Sequence, residues 1–158
     1  MSGPSSSDLI TRRKFLITER ANPLPCCAPG PVRVFATRDV SANITEDEYS
    51  AITLTPDPTT LTITTLNEVY VTALANITGA SGDVIQMKVI YMIDASSSEY
   101  TVIAATPVTL PASGNATVYA TGTFTPPSQS TYTFYLELNQ TTGSGAICNN
   151  ATLYAQGS

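Results

Sequence analysis

The sequence contains no histidine and no tryptophan, and its only lysines are Lys14 and Lys88. Without histidine, catalytic triads with an imidazole base, zinc centres with a histidine ligand and most schemes of general-base catalysis are excluded. The chain also lacks any run of about eighteen apolar residues, so a membrane-spanning helix is not expected. We therefore expect no enzymatic activity, no metal and no cofactor.

What the chain does contain favours β-structure. Apolar residues make up 42% of its 158 residues, which is enough to build one packed domain. By count there are 25 threonines, 15 serines and 8 tyrosines, and threonine and tyrosine are residues that pleated sheet accommodates well. The composition predicts an all-β fold.

Alternating apolar and polar residues define the candidate strands from residue 32 onward. Segments rich in Gly, Pro, Asn, Asp and Ser separate them, as expected for turns. Eight or nine strands at this regular spacing predict a jelly-roll-type β-sandwich. The predicted strands are residues 32–40, 51–55, 59–65, 69–77, 84–93, 100–109, 116–124, 131–138 and 146–154.

Two of these segments make specific predictions about the core. Residues 84–93 are the most apolar and are expected to form a central strand. The strict alternation in residues 131–138 is expected to direct one set of side chains inward. That set is Tyr132, Phe134, Leu136 and Leu138.

The chain before residue 32 has a different character, and we interpret residues 1–31 as an N-terminal connector arm and residues 32–158 as the β-sandwich body. Four prolines among residues 22–31 favour an extended backbone and exclude a helix there. Phe15, Leu16 and Ile17 lie among charged residues earlier in the arm. They are expected to dock on a neighbouring copy, and packing on the chain's own body is an equal alternative.

The distribution of charge supports docking between copies. Residues 1–38 carry six bases and two acids, whereas the remainder carries Lys88 and ten acids. A basic arm and an acidic body attract each other when they belong to different copies. The bases form no dense patch and the body would repel phosphate, so no nucleic-acid partner is expected.

The three cysteines are the most specific signal. Cys26 and Cys27 are adjacent, and a disulfide between them would strain the peptide bond that joins them. With Cys148 the total is odd, which indicates bonding between molecules. The alternative is free thiols in a reducing cell. If an arm thiol bonds Cys148 of another copy, the contact is head-to-tail and builds a filament unless it closes on itself.

Other motifs carry less information. Glu46, Asp47 and Glu48 lack the spacing of a calcium loop and are interpreted as a solvated turn. Residues 11–16 resemble a twin-arginine export motif, but no apolar segment follows, so we expect no standard signal peptide. Five Asn-x-Thr motifs are present, and the richness in threonine accounts for much of this number. They begin at Asn43, Asn76, Asn115, Asn139 and Asn150.

The residues around the cysteines resemble the endospore appendage family, the disulfide-linked pili of bacterial spores. Its connector has an aliphatic residue shortly before a Cys-Cys pair, matched here by Leu24-Pro25-Cys26-Cys27. Its C-terminal motif is Gly, two or three residues, Cys, four residues and Tyr. Gly145 and Cys148 fit this motif, whereas five residues separate Cys148 from Tyr154. A further family cysteine after the pair is missing.

The resemblance implies jelly-roll subunits that polymerise by edge-strand augmentation, with Cys26 or Cys27 bonded to Cys148 of another copy. The partners would then be further copies of this chain, together with an anchoring or tip protein, in an extracellular fibre at the cell or spore surface.

Two other functions are compatible with the sequence. One is a viral jelly-roll structural protein. The other is a β-sandwich binding module or adhesin, for which an exposed aromatic cluster is needed. The candidates for such a cluster are Tyr91, Tyr100, Tyr119 and Tyr132.

Overall fold

The alternating segments form eleven strands in the computed structural model, which describes residues 32–94, 96 and 98–157. In chain order the strands are β1 (Val32–Arg38), β2 (Ala42–Asn43), β3 (Ser50–Ile52), β4 (Thr59–Ile63), β5 (Val69–Thr78), β6 (Val84–Ile93), β7 (Tyr100–Ala104), β8 (Val108–Thr109), β9 (Asn115–Phe124), β10 (Ser130–Thr142) and β11 (Ile147–Gly157). Among the described residues there is no helix long and apolar enough to cross a membrane.

The strands form two antiparallel sheets. The first has the order β1-β11-β5-β9, with β2 also beside β11. The second has the order β3-β10-β6-β7, with β4 beside β10 and β8 beside β6. The chain crosses repeatedly between the sheets, and its first and last strands are neighbours. This two-sheet order is that of a jelly-roll β-sandwich, as the spacing of the segments predicted.

The core lies between the sheets and is built by every second residue of the long strands. In β5 the inward residues, from Val69 to Ile77, are at most 1% exposed. The four residues predicted to face the core from β10, Tyr132 to Leu138, are at most 2% exposed, which confirms that prediction. Tyr91 of β6 stacks on Phe124 of β9, with ring centroids 4.5 Å apart, so aromatic packing joins the two sheets.

Most predicted strands are present with shifted ends. The prediction of a central strand at residues 84–93 is confirmed, because β6 lies between β10 and β7. The prediction of one continuous strand at residues 100–109 was wrong, since this segment forms two strands, β7 and β8. Between them Ala105 N–H donates to the Met87 carbonyl at 2.8 Å, and Pro107 has no N–H for a ladder. The short β2 was not predicted.

The turn between β10 and β11 shows why glycine is needed at one position. Gly143 has a φ of 85°, in the left-handed region that a side chain disfavours. A Cβ at this position would also collide with the carboxylate of Asp83. Asp83 itself is only 4% exposed and accepts a hydrogen bond from Ala80 N–H at 2.8 Å. The glycine therefore lets this turn between the two sheets pack against a buried carboxylate.

Replacing Leu138 by alanine tests the core. Leu138 is 0% exposed, so the substitution leaves a cavity and should lower the free energy of unfolding by about 2–5 kcal/mol. Leu66 is 51% exposed, and the same substitution there should change it by about 0.5 kcal/mol or less. Urea denaturation followed by circular dichroism measures both, and equal effects would contradict the described packing.

Candidate functional site

Strand β9 is a long, open sheet edge. It has ten residues, none of them charged and none of them proline. It pairs with β5 along its whole length without a register shift, and in the described part of the chain no strand pairs with its outer edge. Monomeric proteins protect edge strands by charge, proline, bulges or shortness. Strand β9 has none of these and is free to pair with another chain.

The remaining edges are better protected. Strand β1 has seven residues and carries Arg33 and Arg38, and β3, β4, β7 and β8 have five residues or fewer. Strand β7 also approaches the C-terminal end of β9, where a Cβ on Gly122 would meet the Ile103 side chain at 2.8 Å. The unprotected edge of the body is therefore residues 115–121.

Cys148 lies near the start of β11 and faces the core. It pairs with Ile77 of β5 on one side and with Ala42 of β2 on the other. Its side chain is 0% exposed, and Sγ donates to the Asn150 carbonyl at 3.4 Å. As the single cysteine among the described residues, it is a free thiol there. An incoming thiol therefore cannot reach Sγ unless the structure around it opens.

Arg38 ties together two segments of the chain near this position. Its guanidinium donates to the carbonyls of Val40, Thr53 and Ser41 at 2.6, 3.0 and 3.3 Å. Burial raises the pKa of the Cys148 thiol from 9.0 to about 11, and the charge of Arg38 opposes this rise. Below pH 9 the thiol is protonated, and a protonated thiol is a poor nucleophile.

The other residues predicted for assembly lie outside the described residues. These are the arm thiols Cys26 and Cys27 and the docking residues Phe15, Leu16 and Ile17. The domain boundary at residue 31, the disulfide pairing and the docking contacts stay predictions.

The tyrosines proposed for a surface cluster do not lie together on the surface. Tyr91 and Tyr132 are 7% and 0% exposed and belong to the aromatic core. Tyr100 and Tyr119 are exposed. Since half of the proposed cluster is buried, the prediction of a binding surface made of these four residues is not supported.

Three of the five Asn-x-Thr motifs build hydrogen bonds between strands. Residues two apart in a strand share one face, so each motif places its amide and its hydroxyl side by side. Asn76 Nδ2 donates to Asn150 Oδ1 at 2.6 Å, Thr117 Oγ1 donates to Asn76 Oδ1 at 2.6 Å, and Thr78 Oγ1 donates to Asn115 Oδ1 at 2.7 Å. This ladder on the outer face of the first sheet gives the motifs a structural role.

The acidic segment at Glu46, Asp47 and Glu48 is exposed. Its backbone is tied to β10, since Asp47 N–H donates to the Gln140 carbonyl at 2.9 Å. In the described part of the chain no three His, Cys, Asp or Glu side chains are grouped so that they would hold a metal ion.

The strand order defines the class of protein as a jelly-roll β-sandwich, and a known structure shares the fold. Murine APRIL matches with a TM-score of 0.51 and 7% identity, over 81% of this chain and 99% of that structure. The globular domain of zebrafish complement 1qA protein matches with a TM-score of 0.48 and 10% identity, over 78% of this chain and 94% of that structure. The vertex protein P5 of PRD1 matches with a TM-score of 0.48 and 10% identity, over 80% of this chain and 96% of that structure. Identities this low show the fold alone.

No protein-family model matches the chain. No curated protein sequence matches it either.

The burial of Cys148 predicts slow reaction with thiol reagents. In a C26S/C27S variant Cys148 is the single thiol. Raising its pKa from 9.0 to about 11 lowers the thiolate fraction near pH 8 about 100-fold. Labelling by iodoacetamide at pH 8 should therefore be at least about 100-fold slower in buffer than in denaturant, and should accelerate as the pH rises towards 11. Equal rates in the two solvents would show that the thiol is accessible.

Proposed function

We propose that this chain is the structural subunit of an extracellular fibre that assembles from identical copies. In this proposal the sheet edge of one body extends a sheet of the next, and an arm thiol, Cys26 or Cys27, bonds Cys148 of another copy. The resemblance of the cysteine motifs to the endospore appendage family supports this function and a location at the cell or spore surface.

The position of Cys148 along β11 bears on which arm thiol could reach it within one chain. Val32, the first residue after the arm, pairs with Gly157. Cys148 is nine residues further along β11, but the bulge between Cys148 and Asn150 leaves eight ladder steps against β5, which correspond to about 26 Å. Cys27 is five residues before Val32 and Cys26 is six, so their Cα atoms reach at most about 18 and 22 Å from it. A disulfide spans at most about 7 Å between Cα atoms.

At these lengths Cys27 falls short of Cys148 in its own chain, whereas Cys26 could span the distance. In the proposed assembly the bond between the arm and the body joins two copies, as the odd number of cysteines favours. Because the arm of one copy meets the body of another, the contact uses two different surfaces, and repetition produces a linear polymer unless it closes into a ring.

The observation that carries the proposal is the open edge of β9. Pairing along residues 115–121 gives backbone hydrogen bonds to a second body without any change in the core. The edge and the disulfide act together: the edge positions the two bodies, and the covalent bond then makes their association permanent.

Burial of Cys148 sets a condition on the mechanism. Strand β2 pairs with β11 at this position through only the residues Ala42 and Asn43, and so short a pairing opens at low free-energy cost. In the proposed assembly the incoming arm displaces β2 from β11, and an extracellular oxidant such as molecular oxygen then takes two electrons and two protons from the Cys148 and arm thiols to form the disulfide. Isolated subunits would keep Cys148 covered.

Replacing Cys148 by serine tests the covalent contact. The wild-type chain, concentrated under oxidising conditions, should give a ladder of multimers on a non-reducing gel that disappears with reductant. The C148S variant should lose the ladder, and so should C26S/C27S, while their monomers stay folded. If the C148S variant gave the same ladder of multimers as the wild type, arm cysteines would bond only to other arm cysteines. That result would overturn the proposed disulfide between the arm and Cys148.

Lysines on β9 test the edge. Thr117 and Thr121 are exposed, and a T117K/T121K variant places two positive charges on the edge strand, which disfavours pairing with another strand. Filaments counted by electron microscopy should fall at least about tenfold, which corresponds to about 1.4 kcal/mol per contact. A S81K/S113K variant adds the same charge in exposed turns and should form filaments normally. Equal loss in both variants would indicate a general charge effect.

A further inference from the structure

The outer face of the second sheet holds an ion pair beside a buried amide. Lys88 Nζ is 2.8 Å from Glu137 Oε2, and the two side chains are 23% and 10% exposed. Asn139 is two residues from Glu137 on the same face of β10 and is only 7% exposed. Its Oδ1 atom has no hydrogen-bond partner among the described residues. A buried amide oxygen without a partner is rare and calls for an explanation.

Tyr49 covers this group. It immediately precedes β3, which flanks β10 on the side opposite to β6. Its hydroxyl nevertheless donates to Gln86 Oε1 on β6 at 2.9 Å, so its side chain crosses β10. Gln86 pairs with Asn139 in the ladder, which places the crossing at Asn139. Lys88 Nζ lies 4.4 Å from the centroid of the same ring. One ring therefore covers both the amine and the amide.

The register brings the reacting groups within reach. Lys88 is opposite Glu137 in the ladder between β6 and β10, so Asn139 is its diagonal neighbour. Diagonal neighbours have Cα atoms about 7–8 Å apart, a distance that a long side chain covers. Ala104 and Ala51 flank the ion pair on the outer strands.

We propose that Lys88 and Asn139 form an intramolecular isopeptide bond, with Glu137 transferring the protons. Glu137 takes one proton from the ammonium group, and the neutral amine attacks Asn139 Cγ. The Cγ–Nδ2 bond then breaks, and the leaving nitrogen takes a second proton from Nζ through the Glu137 carboxyl. One ammonia leaves, Nζ keeps one hydrogen as an amide, and no oxidant or reductant is needed.

The product also accounts for the unpaired oxygen. Asn139 Oδ1 becomes the carbonyl oxygen of the new amide, and the protonated Glu137 carboxyl can donate to it. The bond would join β6 to β10, the two central strands of the second sheet, and a covalent link between segments far apart in sequence restricts the unfolded chain. This modification is independent of the disulfides and of assembly.

Trypsin and mass spectrometry test the proposal on the full chain. After Arg38 the only further trypsin site is Lys88, so an unmodified, denatured and reduced chain gives the fragments 39–88 and 89–158. A chain with the isopeptide bond should resist cleavage at Lys88 and give one fragment, 39–158, lighter than its sequence mass by one ammonia. The K88R variant, whose guanidinium cannot form the bond, and the N139A variant should not lose ammonia. The E137Q variant should lose it much more slowly.

Two results would overturn the proposal. One is a wild-type chain that is cleaved at Lys88 and keeps its sequence mass after prolonged incubation of the folded protein. The other is loss of ammonia together with normal cleavage at Lys88, which would indicate that an asparagine has cyclised on its own backbone. Because the wild-type result stands without any variant, poor folding of N139A or E137Q does not prevent a decision.

Discussion

The antiparallel ladder between β6 and β10 is the constraint on which the rest of the structure depends. Its register sets which residues of β10 face the core and which face outward. With Leu136 opposite Val89 and Leu138 opposite Met87, four apolar side chains enter the core. The same register places Lys88 opposite Glu137 on the outer face. A shift by one residue would exchange the two sets, so core packing and the outer ion pair depend on one pairing.

Much of the fold could be predicted because this sandwich uses regular alternation almost everywhere. In β5 and β11 nearly every second residue is buried, and such a pattern is visible in the sequence. The prediction was wrong where tertiary contacts decide. Strand β2 has two residues and exists because Ile147 and Cys148 offer backbone groups to it. Residues 100–109 contain apolar residues throughout, but their ladder with β6 is interrupted between Ala104 and Val108.

The candidate site was less predictable than the fold. Alternation in residues 146–154 gives Ala146 and Cys148 the same face, and both are 0% exposed, so burial of the thiol follows from the pattern. The pairing of β2 beside the thiol and the contacts of Arg38 do not follow from the pattern, because these residues are about a hundred positions away in the sequence. The group of Lys88, Glu137 and Asn139 likewise requires the register between two distant strands, which composition and spacing do not supply.

The enclosure of Cys148 also has a chemical consequence. Small oxidants such as peroxide, and thiols of the surrounding medium such as glutathione, react with accessible thiolates, and this thiol is both covered and protonated at neutral pH. Its oxidation state therefore responds little to ambient redox conditions. A disulfide at Cys148 would instead indicate that the backbone beside it had opened.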